Sequence, residues 1–352
     1  MKETRPKIAI TMGDAAGIGP EIVVKALTRN EIYEKCIPIV IGDCEPIKEA
    51  IIFAGIELEI REINCVDEAE GIFGTIEILN LGYLQKGTWE YKKINARTGN
   101  AAYQYVVKSI RMAMEGLIDA IVTGPINKEA LNAAGHHFSG HTEIFAYYTR
   151  SKNYAMLLVS KELKVIHCTT HVSMRQACDK VTMDRVYNVI KLADQAMRLM
   201  GVKEPKIGVA GLNAHCSEGG MFGDEEDKWI LPAVCKAKEE GYQVEGPISP
   251  DTIFVKALAK QYDIVVAMYH DQGHIPIKLC GFRLNLETNQ YESMSGVNVT
   301  VGLPVIRTSV DHGTAFGKAG EGRANEQSMV EAIQLAVTMS VKKMENIRCC
   351  KD

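Results

Sequence analysis

The stretch "DIVVAMYHDQGHIPIK", residues 263 to 278, opens with an uninterrupted apolar run, Ile264 to Ala267, and then changes character. A short β-branched run without polar alternation is the pattern of a strand buried on both faces. It leads straight into His270 and Asp271, with His274 four residues on and Lys278 four further. In α/β proteins ligands bind in loops just beyond the carboxyl ends of parallel strands. The stretch therefore reads as a buried strand feeding a glycine-containing loop that holds a ligand.

Outward from it, the same grammar repeats. KIAIT precedes PEIVVKALTRNEIYEK, IPIVIG precedes EPIKEAIIFAG, DAIVTGP precedes KEALNAAG, and KIGVAG precedes EEDKWILPAVCKAKEEG. Strands alternating with helical patterns predict mainly parallel sheets covered by helices. Apolar spacing predicts amphipathic helices over 102–117 and 183–200, and a closing helix over 328–344 that packs back on the N-terminal part. At 352 residues the chain exceeds the roughly 250–300 at which one core tends to divide, so two domains are expected.

A 46% hydrophobic, 24% charged composition is that of an ordinary globular protein. The formal charge of −4 lacks the basic signature of a nucleic-acid binder, so an anionic ligand must be held by local cations. The N-terminus MKETRPKIAITMGD has neither the apolar core of a signal peptide nor a bilayer-length run, and the cytoplasm is the expected location. Ten cysteines include no CxxC pair, and they read as reduced and structural.

Four motifs carry the candidate chemistry. GDAAGIGPEI (13–22) turns from a strand into a helix whose first position suits Pro20; it is neither a Walker loop nor a G-x-G-x-x-G fingerprint, and reads first as a structural turn. HCTTH (167–171), GLNAH (211–215) and MYH (268–270) each place a histidine at a strand end. A single such histidine is usually structural. Three on neighbouring parallel strands can converge, and three neutral imidazoles with open positions describe a catalytic metal site, most often zinc. Asp271 either orients one of them or caps the loop. SGHTE (139–143) offers His141 and Thr142 as ligand contacts, or Ser139 and Thr142 as helix caps. RTSVDHGTAFGKAGEGRANEQS (307–328) is rich in glycine and small residues, as a loop approaching a flat nucleotide ring requires; the plainer reading is a surface loop with Asn325 capping the last helix. Arg307 and Lys278 are the cations suited to a phosphate or carboxylate.

In this order, GDAAGIGPE, VTGPINK, FSGHTE, TTH, GLNAH, EGGMFGDEE, DTIF, AMYHDQG and VNVTVGLPVIRTSVDHGTA resemble the 4-hydroxythreonine-4-phosphate dehydrogenase (PdxA) family over nearly the whole chain. The loop HGTAFGKAGEGRAN is also similar to the cofactor loop of isocitrate and isopropylmalate dehydrogenases. The resemblance implies a homodimer of two-domain α/β/α subunits, isocitrate/isopropylmalate dehydrogenase-like, with the active site in the interdomain cleft and completed by the neighbouring chain. One domain would comprise 1–130 with 305–352, and the other 131–304 with the metal and substrate residues. Carried over by motif, His171, His215 and His270 are the divalent-metal ligands, one of them from the neighbouring chain. His141, Thr142, Lys278, Asn298 and Arg307 bind substrate; His312, Gly313, Thr314, Ala315 and Asn325 contact NAD. Zinc is the first expectation for the metal, with magnesium, manganese and cobalt as alternatives.

The implied reaction oxidises the C3 hydroxyl of a 4-phosphorylated four-carbon acid by hydride transfer to NAD, then loses carbon dioxide from the 3-keto acid. Lys278, Asp251 or a water at the ion would accept the proton. Two departures bear on the substrate. RLNLETNQYESMS (283–295) lengthens a segment that is short in the biosynthetic enzymes, and His274 replaces an apolar residue. The HIPxK form is more similar to the catabolic branch acting on D-threonate or D-erythronate 4-phosphate than to enzymes of 4-phosphohydroxy-L-threonine. The rival readings are a non-redox phosphate acyltransferase of similar fold, which needs no three-histidine metal site, and a non-catalytic binder of a phosphorylated acid. No arginine pair is set aside for a 2′-phosphate, which favours NAD over NADP.

Overall fold

The computed structural model describes residues 5–285 and 290–349. The chain forms two compact units, Met1–Lys152 with Leu303–Asp352, and Asn153–Gly302. The first begins β1 (Lys7–Thr11), α1 (Gly19–Ala26), α2 (Asn30–Lys35), β2 (Ile37–Gly42), α3 (Cys44–Ala54), β3 (Glu59–Glu62), β4 (Thr75–Asn80). It continues with α4 (Ala96–Met114), β5 (Ala120–Thr123), α5 (Lys128–Ala133) and α6 (His141–Thr149). The second contains β6 (Ala155–Val159), β7 (Lys164–His167), α7 (Met174–Lys180), α8 (Met183–Leu199), β8 (Ile207–Ala210), α9 (Leu231–Glu239) and β9 (Val244–Ile248). Then come α10 (Pro250–Leu258), β10 (Ile264–Ala267), α11 (His270–Gly281), β11 (Phe282–Asn285), β12 (Gln290–Met294) and β13 (Val297–Val301). The chain returns to the first unit with β14 (Ile306–Val310) and α12 (Gln327–Cys349).

In the first unit the strands lie in the order β3-β4-β2-β1-β5-β14, and every pair is parallel. The second has β13-β6-β7-β10-β8-β9, parallel from β7 to β9 and antiparallel at β6 with both its neighbours. The mainly parallel α/β reading therefore holds. The helix read from 20 to 35 is two helices, because Thr28 turns its hydroxyl back to the Lys25 carbonyl (2.7 Å) and the chain leaves the helical conformation at Arg29. The closing helix is longer than read and packs on β14, β5 and α1.

Residues 131–152, assigned above to the second domain, pack in the first unit. The physical reason is a close helix contact. A side chain at Gly99 of α4 would stand 2.2 Å from the Ala130 carbonyl oxygen of α5, so only glycine lets these helices touch. Tyr103 of α4 and Tyr148 of α6 then share a 2.6 Å hydroxyl contact. In the second unit the core gathers Leu158, Val165, Val265, Ile253 and Ile277. The segment 283–295 is partly a two-stranded antiparallel hairpin, β11 with β12; its residues 286–289 lie outside the described residues. No helix among the described residues is long and apolar enough to cross a membrane.

Candidate functional site

The strand of the opening stretch ends at Ala267, and a helix succeeds it in place of the glycine loop read from sequence. Gly273 and Pro276 disfavour a helix locally. Packing overrides them: a Cβ at Gly273 would lie 2.4 Å from Nε2 of His167 and 2.7 Å from a Val165 methyl carbon, so the glycine lets α11 seat on β7. Ile277 completes the contact by entering the core. His270 is thus the first residue of α11, one turn before His274 and about two before Lys278.

The three candidate metal ligands also sit beyond the strand ends. Strand β7 stops at His167; His171 lies four residues later, and His215 lies in a tight turn after β8. The underlying inference survives, since β7, β10 and β8 are consecutive parallel neighbours and their three loops emerge at one edge. Hydrogen bonds lace these loops together. The Met268 carbonyl accepts from Thr169 N (3.2 Å) and Thr169 Oγ1 (2.9 Å), tying the loop of His171 to that of His270. Gln272, buried, accepts from Met268 N (2.7 Å) and donates to the Gly211 carbonyl (2.8 Å), tying in the loop of His215.

His171 and His270 approach to 5.7 Å between ring centroids. His270 Nδ1 faces Asp271 Oδ1 at 2.7 Å, so it carries the proton and Nε2 keeps the lone pair a metal would need. On its other side His270 stacks on His274 at 3.6 Å and 10°, and His274 Nδ1 donates to the His270 carbonyl (2.9 Å). His215 Nδ1 stands 3.5 Å from Asp251 Oδ2. Among the described residues no three His, Cys, Asp or Glu side chains gather closely enough to hold an ion. The donors therefore fit a divalent metal in kind, and His270 in tautomer, and the ring contact brings His171 and His270 together. Asp251 is held by Ser249 Oγ (2.6 Å), Lys278 places its ammonium 4.3 Å over the Phe282 ring, and Asn298 lies on β13 opposite Leu158.

His141, Thr142 and Arg307 belong to the first unit. His141 opens α6, whose N-cap is Gly140 with no side-chain cap, so neither Ser139 nor Thr142 serves as the cap the alternative reading required. Arg307, on β14, is 2% exposed; its Nη2 donates to Thr123 Oγ1 (2.7 Å) and its guanidinium lies 5.7 Å from the Phe145 ring centre. Burial pulls Arg307 down to about 9, so it stays a cation at neutral pH. Burial, and then the Arg307 charge, push the His141 imidazole well below the usual histidine range. A neutral imidazole beside a buried guanidinium is a donor pair suited to a phosphate or carboxylate oxygen.

The glycine-rich loop is used differently from the sequence expectation. Gly320 and Gly322 serve close packing, on the Tyr91 ring and the Phe53 carbonyl, while Gly313 and Gly317 face open space. Glu21 accepts from Ala324 N (2.6 Å), and Lys25 donates to the Gly322 and Ala324 carbonyls (both 2.8 Å). The GDAAGIGPEI turn braces the same loop, with Ile18 N donating to the Thr314 carbonyl (3.0 Å) and no room for a side chain at Gly17. Ala315 has φ +43° and His312 Nδ1 donates to the Gly313 carbonyl (2.9 Å). Asn325 Oδ1 accepts from Gln327 N (2.8 Å), but the cap position of α12 is Glu326, whose carbonyl accepts from Val330 N (3.0 Å), so Asn325 stands one residue before the cap.

Sequence reasoning missed His167, Gln272 and Glu226. His167 is fully buried and pushed down to about 3 by burial and then by His274. Its only signal was a histidine inside a β-branched run.

Known proteins agree with the motif reading. The family model described as pyridoxal phosphate biosynthetic protein PdxA matches residues 34–336. A protein of Cupriavidus necator named D-threonate 4-phosphate dehydrogenase is 43% identical over 344 residues, covering 97% of this chain and all of that one (100%). A crystal structure titled 4-hydroxythreonine-4-phosphate dehydrogenase from Burkholderia phymatum is 43% identical with a TM-score of 0.81, covering 96% of this chain and 99% of that chain. The EutD phosphotransacetylase of Staphylococcus aureus, at 13% identity and a TM-score of 0.54 over 96% of this chain and 94% of that one, shares the fold alone. By the extent of the family match and the identity across full-length relatives, this chain belongs to the PdxA family.

Proposed function

We propose that this protein is an NAD-linked, divalent-metal-dependent dehydrogenase of a 4-phosphorylated four-carbon acid. It oxidises the C3 hydroxyl and releases the carboxyl group as carbon dioxide. Its substrate is D-threonate or D-erythronate 4-phosphate in preference to 4-phosphohydroxy-L-threonine. Family membership and the dehydrogenase names of full-length relatives support the reaction class. The observation that carries the site is the approach of His171 to His270, with Asp271 keeping the His270 Nε2 lone pair available. A metal held there would supply Lewis-acid polarisation of the substrate hydroxyl, and zinc is the usual match for imidazole donors.

The chain's own residues account for the rest. Arg307, His141, Thr142, Lys278 and Asn298 are the substrate-binding residues in this reading, the cations among them suited to its anionic groups. Asp251, or Lys278 in its neutral form, would take the hydroxyl proton, and NAD when bound would supply the hydride acceptor. The new carbonyl lies β to the carboxylate, so the carbon–carbon bond breaks with its electrons delocalised into that carbonyl. Gly313, with His312, Thr314, Ala315 and the amide of Asn325, forms the NAD contact.

Exposed apolar residues also occur in this unit: Met221 and Phe222 after His215, Val255 on α10, and Ile275 and Leu279 on α11. A homodimer in which one metal ligand comes from the second copy belongs to the same reading. A cytoplasmic location goes with this reading.

The direct test incubates the protein with NAD, zinc and D-threonate 4-phosphate and measures NADH and carbon dioxide together. Equal yields are expected. NADH without carbon dioxide would remove the decarboxylation, and neither product with any of the three acids would remove the function.

A further inference from the structure

We propose that Glu226 is a positioning residue: its buried carboxylate locks the loop that carries His215 into the backbone conformation that presents the imidazole. The inference rests on the metal reading above. Residues 215 to 218 are four consecutive non-glycine residues with positive φ, His215 (+50°), Cys216 (+56°), Ser217 (+66°) and Glu218 (+45°). L-residues visit this left-handed region singly and at a cost, because Cβ crowds the following carbonyl. A run of four needs an external restraint.

Glu226 supplies it. The residue is 2% exposed, and one oxygen, Oε1, accepts from both Leu212 N and Asn213 N at 2.7 Å. The other, Oε2, accepts from Asn213 Nδ2 (3.0 Å) and from the hydroxyl of Ser217, itself 2% exposed. The carboxylate thus grips the loop on both sides of His215. Burial alone would raise its pKa, but the hydrogen bonds from Ser217 and Asn213 outweigh burial and keep it ionised. Nothing in the proposed chemistry uses this charge, and it does not touch the imidazole. A further link joins this loop to its neighbours, since Gly211, where it begins, is bonded through Gln272 to Met268. A side chain at Gly211 would meet Cys216 Sγ at 2.7 Å and Glu226 Oε1 at 3.1 Å, which closes the turn tightly around the carboxylate.

The test compares wild type, Glu226→Gln, Ser217→Ala and the exposed neighbour Asp227→Asn as full-length proteins. Cobalt(II) and zinc affinity are measured by competition with a chromogenic chelator, cobalt d–d absorption is recorded, and amide hydrogen exchange over 212–217 is followed in metal-free protein. Removing a group that orients a metal ligand costs on the order of 10- to 100-fold in affinity. Glu226→Gln is expected to lose affinity in that range, shift the cobalt spectrum and speed exchange at Leu212 and Asn213. Ser217→Ala is expected to do the same to a smaller degree, and Asp227→Asn to do neither. If Glu226→Gln fails to fold, Ser217→Ala decides by the same readouts. Unchanged affinity and spectrum in a folded variant would overturn the inference while leaving the metal reading intact. A wild type that binds neither metal would overturn both.

Discussion

Arg307 and His141 are placed by regular elements, strand β14 and the first turn of α6; Arg307 is buried and His141 half-buried. His171, His215 and His270 stand beyond the strand ends, with the side chains of His215 60% and His270 37% exposed. The contrast reflects what each ligand would need. An anion is gripped most strongly by a desolvated cation whose donors are fixed in advance, and burying that cation costs stability in the empty protein. A metal needs neutral, adjustable imidazoles, so the burden shifts to the backbone beneath them, laced through Thr169, Met268, Gln272 and Gly211. One region achieves order by packing and the other by hydrogen bonds.

The sharpest break in the second region is His270→Ala. It is expected to abolish metal binding and lower kcat/KM by about a thousandfold, in keeping with the several kcal/mol a catalytic ion contributes, while the fold persists. Full dehydrogenase activity would exclude His270 as a ligand. In the first region, Arg307→Met removes the buried charge and keeps the bulk. Loss of charged hydrogen bonds worth about 1.5–3 kcal/mol should raise KM roughly 10- to 100-fold. Thermal stability should hold or rise, since replacing a buried ion by an apolar side chain is often neutral or favourable. An unchanged KM would take Arg307 out of the substrate site. Gln272→Leu tests the lacing: a buried donor and acceptor lose their partner, at about 1–3 kcal/mol each, and denaturant unfolding should report the loss. If stability is unaltered, the loops are held by something else.

The effect confined to the narrowest conditions is a pH slope. His167 is held down to about 3 when folded, against roughly 6.5 when unfolded, so the unfolded chain binds the extra proton. Its contribution is complete above pH ~6.5 and is lost as pH falls toward 3, at up to about 1.4 kcal/mol per unit. His167→Leu should flatten the fall of Tm across that window in metal-free protein. An identical slope would mean that His167 titrates normally.

Much of the fold was legible because its strands announce themselves. The runs KIAIT, IPIVIG and DIVVA need no partner to be read, and parallel strands place their loops at one edge by topology. What stayed hidden depends on distant contacts. The helix at His270 forms despite Gly273 and Pro276 because His167, more than a hundred residues earlier, occupies the space a side chain would need. The boundary at Lys152 in place of 130 rests on α4 holding α6, where Tyr103 meets Tyr148. Glu226 reads as one more acid in GDEED, since its partners are backbone amides 13 and 14 residues upstream. Arg307 was legible as a cation, whereas its burial was set by the strands on which it lies.

The most direct measurement of the central claim is the initial rate of NADH formation in chelator-stripped protein, before and after zinc is restored. D-threonate 4-phosphate, D-erythronate 4-phosphate and 4-phosphohydroxy-L-threonine would be compared at matched concentrations. The account expects no rate without metal, and a restored rate that is fastest with one of the sugar acids. A restored rate confined to the amino acid would contradict the substrate, and full activity in the stripped enzyme would contradict the metal.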